Sequence, residues 1–437
     1  MKILCTSQMG STTIMGQTMR VIAIASALRR RGHEIRYLAG ENLAPAVEKH
    51  ALTVLPLPAL PHIDFPPDAG RLARDPDYQH QLMRAMKDNL TILWDAEIAA
   101  IRRENPDWIV SGSLLTPFAA TRAATTNTTA ADPIPCAMTF LQPHGQKTLR
   151  HFAQGMAGPD RRSHWAEILR VVAPDIPETA QPQELIRRLL AGVPLILVEG
   201  MPEISGDAPL ENMGEWGGFI KDKIHYTGPL LPEAPEDLPA PEALKLSYGG
   251  RNDQPLVYVT IGGGSGLIGE EFLNLVLEMF RRLPEVRGVI ATGLAIPPAN
   301  LAARRPPENV AIRGFVPGME LIKASDVTVF HGGSSTLMSC IACGRPAVVI
   351  PSIGEQEDNG AVLAQHGAGL VLDKQALNAA ILTEAVQKIM ADQSFTVQAQ
   401  KLRELGRKYG GAAEAARIIE KCGERRMVGA GAHSGGR

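Results

Sequence analysis

One stretch of the sequence, His331 to Asn359, restricts the fold of this chain more than any other. The apolar run just before it, Val327 to Phe330, is typical of a buried parallel strand. His-Gly-Gly-Ser-Ser then leads into an apolar segment with helical spacing, Leu337 to Cys343, which a glycine and a proline end. Ala347 to Ile350 has the composition of a second buried strand. The stretch therefore predicts a strand–helix–strand unit of a parallel sheet.

The joint between the first strand and the helix is suited to bind an anion. Glycines let the backbone approach a ligand closely, and the first amides of a helix have no acceptor within it. Because the start of a helix also carries a partial positive charge, phosphate is the favoured anion. The predicted phosphate site consists of His331, Gly332, Gly333, Ser334, Ser335 and Thr336.

An acidic, amide-rich loop follows the second strand and is suited to bind several hydroxyl groups. Its sequence is Glu355-Gln356-Glu357-Asp358-Asn359. One strand–helix–strand unit thus offers a phosphate site and a polyol site side by side, which indicates a sugar-nucleotide ligand.

Composition limits the class of protein. A chain of 437 residues is long enough for two domains, each with its own core, and 45% hydrophobic with 21% charged residues is ordinary for a globular protein. The formal net charge of −2 gives no general attraction to nucleic acid or to an anionic membrane. Five cysteines are few and odd in number, which fits a reducing compartment better than a disulfide framework.

The start of the chain, Lys2 to Thr6, is typical of a strand and not of a signal peptide. No apolar run approaches the roughly 18–20 residues that a membrane-spanning helix needs. We therefore expect a cytoplasmic protein without a transmembrane segment, and leave contact with a membrane surface open.

Alternating strand and helix patterns divide the chain into two parts. Residues 1–230 form the first part, and residues 231–253 are rich in proline and acidic residues, which predicts a linker. Residues 254–422 form the second part, in which the alternation restarts at Leu256, whereas residues 423–437 are glycine-rich and predicted to be a flexible tail. The pattern predicts an α/β fold of two doubly wound, Rossmann-like domains. A second glycine-rich turn, which includes Gly263, Gly264 and Ser265, follows the first strand of the second part and could add amides to the phosphate site.

The stretch from His331 to Asn359 resembles the donor-binding signature of nucleotide-sugar-dependent glycosyltransferases of the GT-B fold, a superfamily that includes plant UDP-glycosyltransferases and antibiotic-tailoring enzymes. The matching positions are His331, Gly332, Gly333, Thr336, Gly344, Pro346, Pro351, Gln356, Asn359 and Gly367. The resemblance implies two Rossmann-like domains that face a central cleft, an N-terminal acceptor domain and a C-terminal donor domain. It also implies that the last helix crosses back onto the N-terminal domain.

Donor contacts follow from the resemblance residue by residue. Glu355 and Gln356 stand where the family contacts the donor sugar, commonly with Asp-Gln, and a solvated acidic loop is the alternative. Phe315 and Val316 stand in the segment that holds the nucleobase. Ser339 replaces a glutamate that in many members binds the ribose, so one hydroxyl stands in for two carboxylate oxygens.

The largest departure from the family concerns the general base. Where many members carry a Gly-His pair, this chain has Gly16-Gln17, and the region of the orienting aspartate is Ser111-Gly112-Ser113. Glutamine cannot accept a proton near neutral pH, so the usual dyad is missing. The base is unassigned: His144 and Asp64 are candidates in irregular loops, with Asp68 and His62 behind them, and each is also an ordinary loop residue by type.

Two further features are explained more simply by solvation or packing than by a functional site. The basic loop Lys147 to Arg162 could meet an acidic acceptor, but a solvated charged loop is the simpler interpretation. Cys340 and Cys343 have Cys-x-x-Cys spacing without a second pair of cysteines, so packing is favoured over zinc.

The resemblance implies a hexosyltransferase that moves a sugar from a UDP- or TDP-sugar to a small-molecule or lipid acceptor. We expect inversion at the anomeric carbon, no metal ion and no cofactor, since the nucleotide-sugar is a substrate. We expect no nucleic-acid partner. Two alternatives stay open: a nucleotide-sugar-binding protein without transferase activity, and a nucleotide-sugar epimerase.

Overall fold

A computed structural model describes residues 1–7, 15–61, 76–113, 115–124, 133–148, 193–205, 220–262, 269–293, 296–314 and 316–434. It contains two separate parallel sheets, with helices beside them. The predicted α/β class follows from this alternation of strands and helices along the chain.

The first sheet has seven strands in the order β3-β2-β1-β4-β5-β6-β7, and every neighbouring pair is parallel. Its strands are β1 (Lys2–Thr6), β2 (Glu34–Ala39), β3 (Thr53–Pro56), β4 (Trp108–Ser111), β5 (Cys136–Leu141), β6 (Leu195–Glu199) and β7 (Ile224–Gly228). The helices described in this half are α1 (Met15–Arg30), α2 (Ala44–Lys49), α3 (Pro76–Glu104) and α4 (Thr116–Ala124).

The second sheet has six parallel strands in the order β10-β9-β8-β11-β12-β13. They are β8 (Leu256–Thr260), β9 (Arg287–Ala291), β10 (Val310–Arg313), β11 (Val327–Phe330), β12 (Ala347–Val349) and β13 (Gly369–Val371). The remaining helices are α5 (Pro241–Ser247), α6 (Gly269–Arg282), α7 (Pro298–Ala302), α8 (Gly318–Ala324), α9 (Ser334–Cys343), α10 (Gly354–Gln365), α11 (Ala379–Ala391), α12 (Ser394–Arg407) and α13 (Gly411–Ser434).

Continuous apolar runs form the central strands because both faces of each sheet are covered. Every residue of β8 and of β11 is buried, as expected for parallel strands between two layers of helices. Each sheet accordingly has one core on either face, four in total among the described residues.

The order of the strands fixes where a ligand can bind. In both sheets the order reverses next to the first strand, between β1 and β4 and between β8 and β11. At such a switch point the loops that follow the two strands diverge and leave a crevice at the carboxyl edge of the sheet. The predicted phosphate loop follows β11 directly, so it lies at the switch point of the second sheet.

Two segments differ from the expectation drawn from composition. The segment predicted to be a linker contains a short turn of helix at Pro235–Asp237 and helix α5, whose Leu244 is buried. The last helix, α13, runs on through Ser434, so it includes most of the segment predicted to be a flexible tail. Local composition missed α5 because apolar residues with helical spacing are few there, and the packing of the buried Leu244 completes the helix.

Helix α13 packs on the first sheet although it follows the second sheet in the chain. Its buried Ala415, Ala416 and Ile419 belong to the core that α1 and β1 also line. At its surface Glu420 Oε2 lies 2.6 Å from Arg31, and Glu420 Oε1 lies 2.7 Å from His33. These two partners, Arg31 first, lower the pKa of Glu420 to about 2. The two halves are therefore connected by a helix as well as by the segment before β8.

Among the described residues no helix is both long and apolar enough to cross a membrane.

Substitution of Ile419 by alanine tests how much the docking of α13 contributes. Ile419 is fully buried against the first sheet, so we expect the free energy of unfolding to fall by about 2–5 kcal/mol. Urea denaturation measures this change. The matched control is Val397→Ala on α12, where the side chain is 53% exposed and the expected change is within about 0.5 kcal/mol. Equal effects of the two substitutions would show that α13 adds no stability.

Candidate functional site between the two sheets

The side chain of His331 is held between glycines at the switch point of the second sheet. It follows β11, and Gly262 follows the neighbouring strand β8. A Cβ atom on Gly262, whose φ is +83°, would lie 2.5 Å from His331 Cε1, and one on Gly333 would lie 2.6 Å from Nε2. Glycine is required at both positions because any side chain would displace the imidazole ring.

Burial sets the protonation state of His331. The residue is 9% exposed, and its Nδ1 atom has no hydrogen-bond partner among the described residues. Desolvation lowers the pKa to about 4, so the ring is neutral near pH 7. A neutral imidazole still carries one N–H, which can donate a hydrogen bond to an anionic oxygen in the crevice.

The first turn of α9 presents backbone donors beside this ring. Gly333 is the N-cap residue, and no side chain caps the helix. The amides of Ser334 and Ser335 are therefore at the positions where a helix lacks internal acceptors. The amide of Thr336 donates to Gly333 O at 3.1 Å and is thus engaged, so Thr336 can contribute its side chain to the site but not the free amide that we expected.

A buried amide fixes the shape of the loop after β11. Asn359, on α10, is 2% exposed and donates through Nδ2 to Gly332 O at 2.8 Å and to Ser334 Oγ at 3.1 Å. Ser334 Oγ in turn donates to Glu355 Oε1 at 3.0 Å. Glu355 to Asn359, which we expected to form a loop, are the first turns of α10, and these turns and the phosphate loop are therefore one hydrogen-bonded unit.

The two predicted sugar contacts differ in their surroundings. Glu355 is partly exposed beside the start of α9, where a ligand can reach it. Gln356 is 5% exposed, and its Oε1 accepts a hydrogen bond from the amide of Ser352 at 2.8 Å. Gln356, in the first turn of α10, thus holds the turn before that helix, and its contact with a sugar stays a prediction.

A cleft of about 270 Å³ opens between the two sheets at this point. The predicted residues Val316, Ser335, Thr336 and Ser339 line it on one side, together with Gly262. Ser339 Oγ donates to the carbonyl of Ser335 at 2.8 Å, which leaves its lone pairs for a ligand. Four other predicted residues lie outside the described part of the chain: Gly263, Gly264, Ser265 and Phe315.

The opposite wall of the cleft is the start of α1. A Cβ atom on Gly16 would lie 2.6 Å from Ser335 Oγ, so the first turns of α1 and α9 approach each other closely. Gln17 is 5% exposed and donates through Nε2 to the carbonyl of Gly112, in the loop after β4. Gln17 therefore stands opposite the loop in which the resemblance places an orienting aspartate, and it acts there as a donor.

Of the candidate bases in irregular loops, His144 lies in the described part of the chain, and its surroundings do not suit a base. His144 is 7% exposed, burial lowers its pKa to about 4, and its ring hydrogen-bonds the backbone of Ile204. It is too weak a base for proton abstraction near pH 7 unless a ligand changes its surroundings. Asp64, Asp68 and His62 lie outside the described residues.

The start of the basic loop contacts the second half of the chain. Lys147 forms an ion pair with Glu357, and Asp358 Oδ2 accepts hydrogen bonds of 2.7 Å from the amide and the hydroxyl of Thr148. This part of the loop therefore contacts the start of α10, while the side chain of Lys147 stays 58% exposed. Arg150, Arg161 and Arg162 lie outside the described residues.

Three charged residues in or beside the cleft had no signal in the sequence. Arg20, one turn after Gly16, is 6% exposed and lies 3.4 Å from Glu199 Oε2, and Glu199 lines the cleft. Burial lowers the pKa of Arg20 and raises that of Glu199, with their mutual attraction opposing both shifts. Glu320, which accepts from Tyr248 at 3.0 Å, places a carboxylate in the same cleft as Ser339.

Cys340 and Cys343 are buried free thiols inside α9, which agrees with packing. Within the described ranges, no group of three or more His, Cys, Asp or Glu side chains is arranged to hold a metal ion.

Sequence comparison connects this geometry to known proteins. Residues 295–421 match the family model "Erythromycin biosynthesis protein CIII-like, C-terminal domain". The chain is 30% identical over 199 residues to the NDP-glycosyltransferase YjiC of Bacillus subtilis, an alignment that covers 46% of this chain and 48% of YjiC. It is 24% identical over 420 residues to an uncharacterized glycosyltransferase of Methanosarcina acetivorans, covering 93% and 95% of the two chains. The chain thus spans about half the length of the first relative and nearly all of the second.

Solved structures of the same architecture cover almost the whole chain. The glycotransferase of kitacinnamycin superposes with a TM-score of 0.68 at 19% identity, over 96% of this chain and 98% of the other. The glycosyltransferase VinC, solved in complex with dTDP, superposes with a TM-score of 0.62 at 18% identity, over 97% and 100%. These likenesses confirm the predicted GT-B fold, and the named relatives confirm the resemblance to glycosyltransferases.

Substitution of Gly262 by alanine tests the enclosure of His331. The new Cβ atom would meet the ring, and the positive φ adds strain of about 1–2 kcal/mol. We expect the affinity for UDP and dTDP, measured by isothermal titration calorimetry, to fall more than about tenfold. Gly249→Ala is the control, since its φ is +77° but it contacts the flexible end of Arg287 away from the cleft. Unchanged affinity in Gly262→Ala would contradict the assignment of the crevice.

Proposed function

We propose that this chain, a glycosyltransferase with the GT-B fold, transfers a hexose from a UDP- or dTDP-sugar to a small-molecule or lipid acceptor. The observation that carries the proposal is the pairing of His331 with the open first turn of α9 beside the cleft between the two sheets. The solved complex of VinC with dTDP supports a nucleoside diphosphate as the ligand.

The diphosphate lies against His331 and the amides of Ser334 and Ser335. Each of these groups is a donor, and the helix start adds a partial positive charge. Such donors gain strength where water is excluded, which the 9% exposure of His331 provides. They stabilise most the state in which charge develops on the leaving diphosphate, so they accelerate the transfer and do more than bind the donor.

The nucleoside lies further along the same wall of the cleft. Val316 supplies an apolar surface for the base, and Ser339 and Glu320 supply oxygens for the ribose hydroxyls. Glu320 offers the carboxylate that the resemblance assigns to position 339. The donor sugar lies toward Glu355, whose carboxylate can accept hydrogen bonds from sugar hydroxyls and is held by Ser334.

The transfer is a displacement with inversion. The acceptor oxygen attacks the anomeric carbon from the side of the first sheet, while the bond from that carbon to the diphosphate oxygen breaks toward His331. The leaving oxygen takes the electron pair, and the donors at α9 stabilise its charge. Because these donors stabilise the charge of the leaving diphosphate, the proposed reaction proceeds without a metal ion.

The contact between Gln17 and Gly112 favours a second candidate function, a nucleotide-sugar-binding protein. Gln17 has no basic atom, so the usual way of activating an acceptor is absent. Binding of UDP or dTDP without transfer to any acceptor and without hydrolysis of the donor would support this candidate. Conversion of the donor sugar into an epimer would instead support an epimerase.

Substitution of His331 by alanine tests the proposed leaving-group site. We expect kcat/KM for transfer to fall more than about tenfold, or roughly 1.4 kcal/mol of barrier, because a donor to the departing oxygen is lost. The measurement is product formation from UDP-glucose and dTDP-glucose with a panel of phenols and aliphatic alcohols. His366→Ala, at the far end of α10, is the control and should retain full activity. A kcat/KM for His331→Ala within about tenfold of the wild-type value would show that the diphosphate leaves at another site.

Proton NMR of the product tests stereochemistry and metal dependence together. With an α-linked donor and an excess of EDTA, we expect an unchanged rate and a β-linked product. An α-linked product would refute the single displacement, and loss of activity that Mg²⁺ restores would refute the role given to His331 and α9.

A further inference from the structure

A buried carboxylate, Glu97, lies in the first half of the chain at the carboxyl edge of its sheet. It belongs to α3 and is 8% exposed. It lines a small cavity together with Thr6, at the end of β1, and Ser113, in the loop after β4. The other walls of this cavity are apolar: Leu38, Leu57, Leu90, Leu93, Trp94 and Leu115.

A chain of hydrogen bonds connects Glu97 to the loop after β4. Thr116 Oγ1 donates to Glu97 Oε1 at 2.7 Å, and the hydroxyls of Thr116 and Ser111 are 2.7 Å apart. The amide of Ser113 donates to Ser111 Oγ at 2.8 Å. The Ser113 amide can only donate, so the Ser111 hydroxyl is free to donate to Thr116 and the Thr116 hydroxyl to Glu97. This direction suits an ionised carboxylate, which can only accept hydrogen bonds.

This loop also faces the donor half of the molecule. Its Gly112 accepts from Gln17, and the neighbouring Gly16 approaches Ser335 of α9. Glu97 therefore supplies a carboxylate to the loop in which the sequence has Ser111-Gly112-Ser113 and no acid. Because Glu97 is on α3 and not in the loop, its position in the chain gave no sign of this.

The surroundings of Glu97 favour the neutral acid only moderately. Desolvation raises its pKa to about 7, and the hydrogen bond from Thr116 opposes the rise. The titratable neighbour is Cys136 on β5, whose own pKa burial raises. Arg102 on α3 and Arg122 on α4 are exposed, and Cys5 of β1 packs in the core on the other face of the sheet. No described Lys, Arg or His forms an ion pair with Glu97, so near neutral pH the carboxylate can both accept and release a proton.

We propose that Glu97 is the general base of the transfer, which rests on the function proposed above. The acceptor hydroxyl enters the cavity beside Glu97 and Ser113, and its proton passes to the carboxylate as its oxygen bonds to the anomeric carbon. The bond from that carbon to the diphosphate breaks, and the electron pair leaves with the diphosphate. Glu97 then returns the proton to solvent, so the carboxylate is regenerated.

The cavity also indicates the chemical class of the acceptor. Its volume is about 10 Å³, which is room for one hydroxyl-sized group. Leucine and tryptophan side chains surround that space, so they favour a hydroxyl on an apolar or aromatic carbon skeleton. A strongly hydrated acceptor such as a free sugar would lose hydrogen bonds to water at these walls without replacement.

The test compares Glu97→Gln with the wild type over phenols of graded acidity, from 4-nitrophenol to 4-methoxyphenol, with UDP-glucose and dTDP-glucose as donors. We expect kcat to fall at least about a hundredfold for 4-methoxyphenol and much less for 4-nitrophenol, which ionises without help. With 4-methoxyphenol, which stays protonated over this range, the wild-type rate should rise with pH through about 7, where Glu97 ionises, and this rise should be absent in Glu97→Gln.

Glu104→Gln is the matched control, two turns further along α3, where the carboxylate pairs with Lys2 outside the cavity. It should retain both the rate and the pH profile of the wild type. Calorimetric affinity for UDP and dTDP should be the same in all three proteins, which separates a lost base from a misfolded donor site. If Glu97→Gln does not fold, a wild-type rate with 4-methoxyphenol that does not change between pH 5.5 and 8.5 overturns the proposal.

The outcomes also separate this inference from the proposed function. A wild type that transfers glucose, with Glu97→Gln equally active on 4-methoxyphenol, leaves the transferase standing and refutes Glu97 as base. A wild type that binds dTDP or UDP but glycosylates none of the phenols refutes an aromatic alcohol as the acceptor. If binding of both diphosphates is also absent, the proposed function itself fails.

Discussion

At the carboxyl edges of the two parallel sheets, glycines let the backbone lie very close to neighbouring side chains. The rest of the structure depends on this constraint. At the switch point of the second sheet, glycines on both sides of His331 leave room for the ring and for nothing more. In the cleft, Gly16 lets the first turn of α1 approach that of α9. A Cβ atom at either place would separate groups that must act together. The imidazole of His331 and the uncapped start of α9 therefore lie side by side, which is the arrangement that we propose for the diphosphate.

Burial then decides what each polar group can do. His331 and His144 both lose their charge, with pKa values near 4, so neither is a cation or an effective base near pH 7. The pKa of Glu97 rises to about 7, toward the value that suits a general base, because desolvation outweighs the hydrogen bond from Thr116. The pair Arg20–Glu199 stays in place because each charge compensates the other. In the proposed transfer, the donor half works through neutral hydrogen-bond donors, and Glu97 of the first half supplies the carboxylate for proton transfer.

Much of the fold was predictable from the sequence. Strand and helix alternation gave two parallel sheets because each apolar run is continuous and buried, as in β8 and β11. Composition was misleading where a helix depends on tertiary contacts, as at α5. Among the predicted donor residues, His331, Ser335 and Ser339 come together in or beside one cleft, whereas the amide of Thr336 proved to be engaged in the first turn of α9.

The sequence by itself determined the donor end of this protein, because strand, glycine turn, helix start and acidic loop are consecutive within His331–Asn359. Physical proximity there follows from the covalent order of the chain. Only the tertiary structure decided the acceptor end, where the partners are remote in sequence. Arg20 and Glu199 are 179 positions apart, Gln17 and Gly112 are 95 apart, and Glu97 reaches its loop from a different helix. Such contacts depend on how the helices pack against the sheet, and no local pattern encodes them.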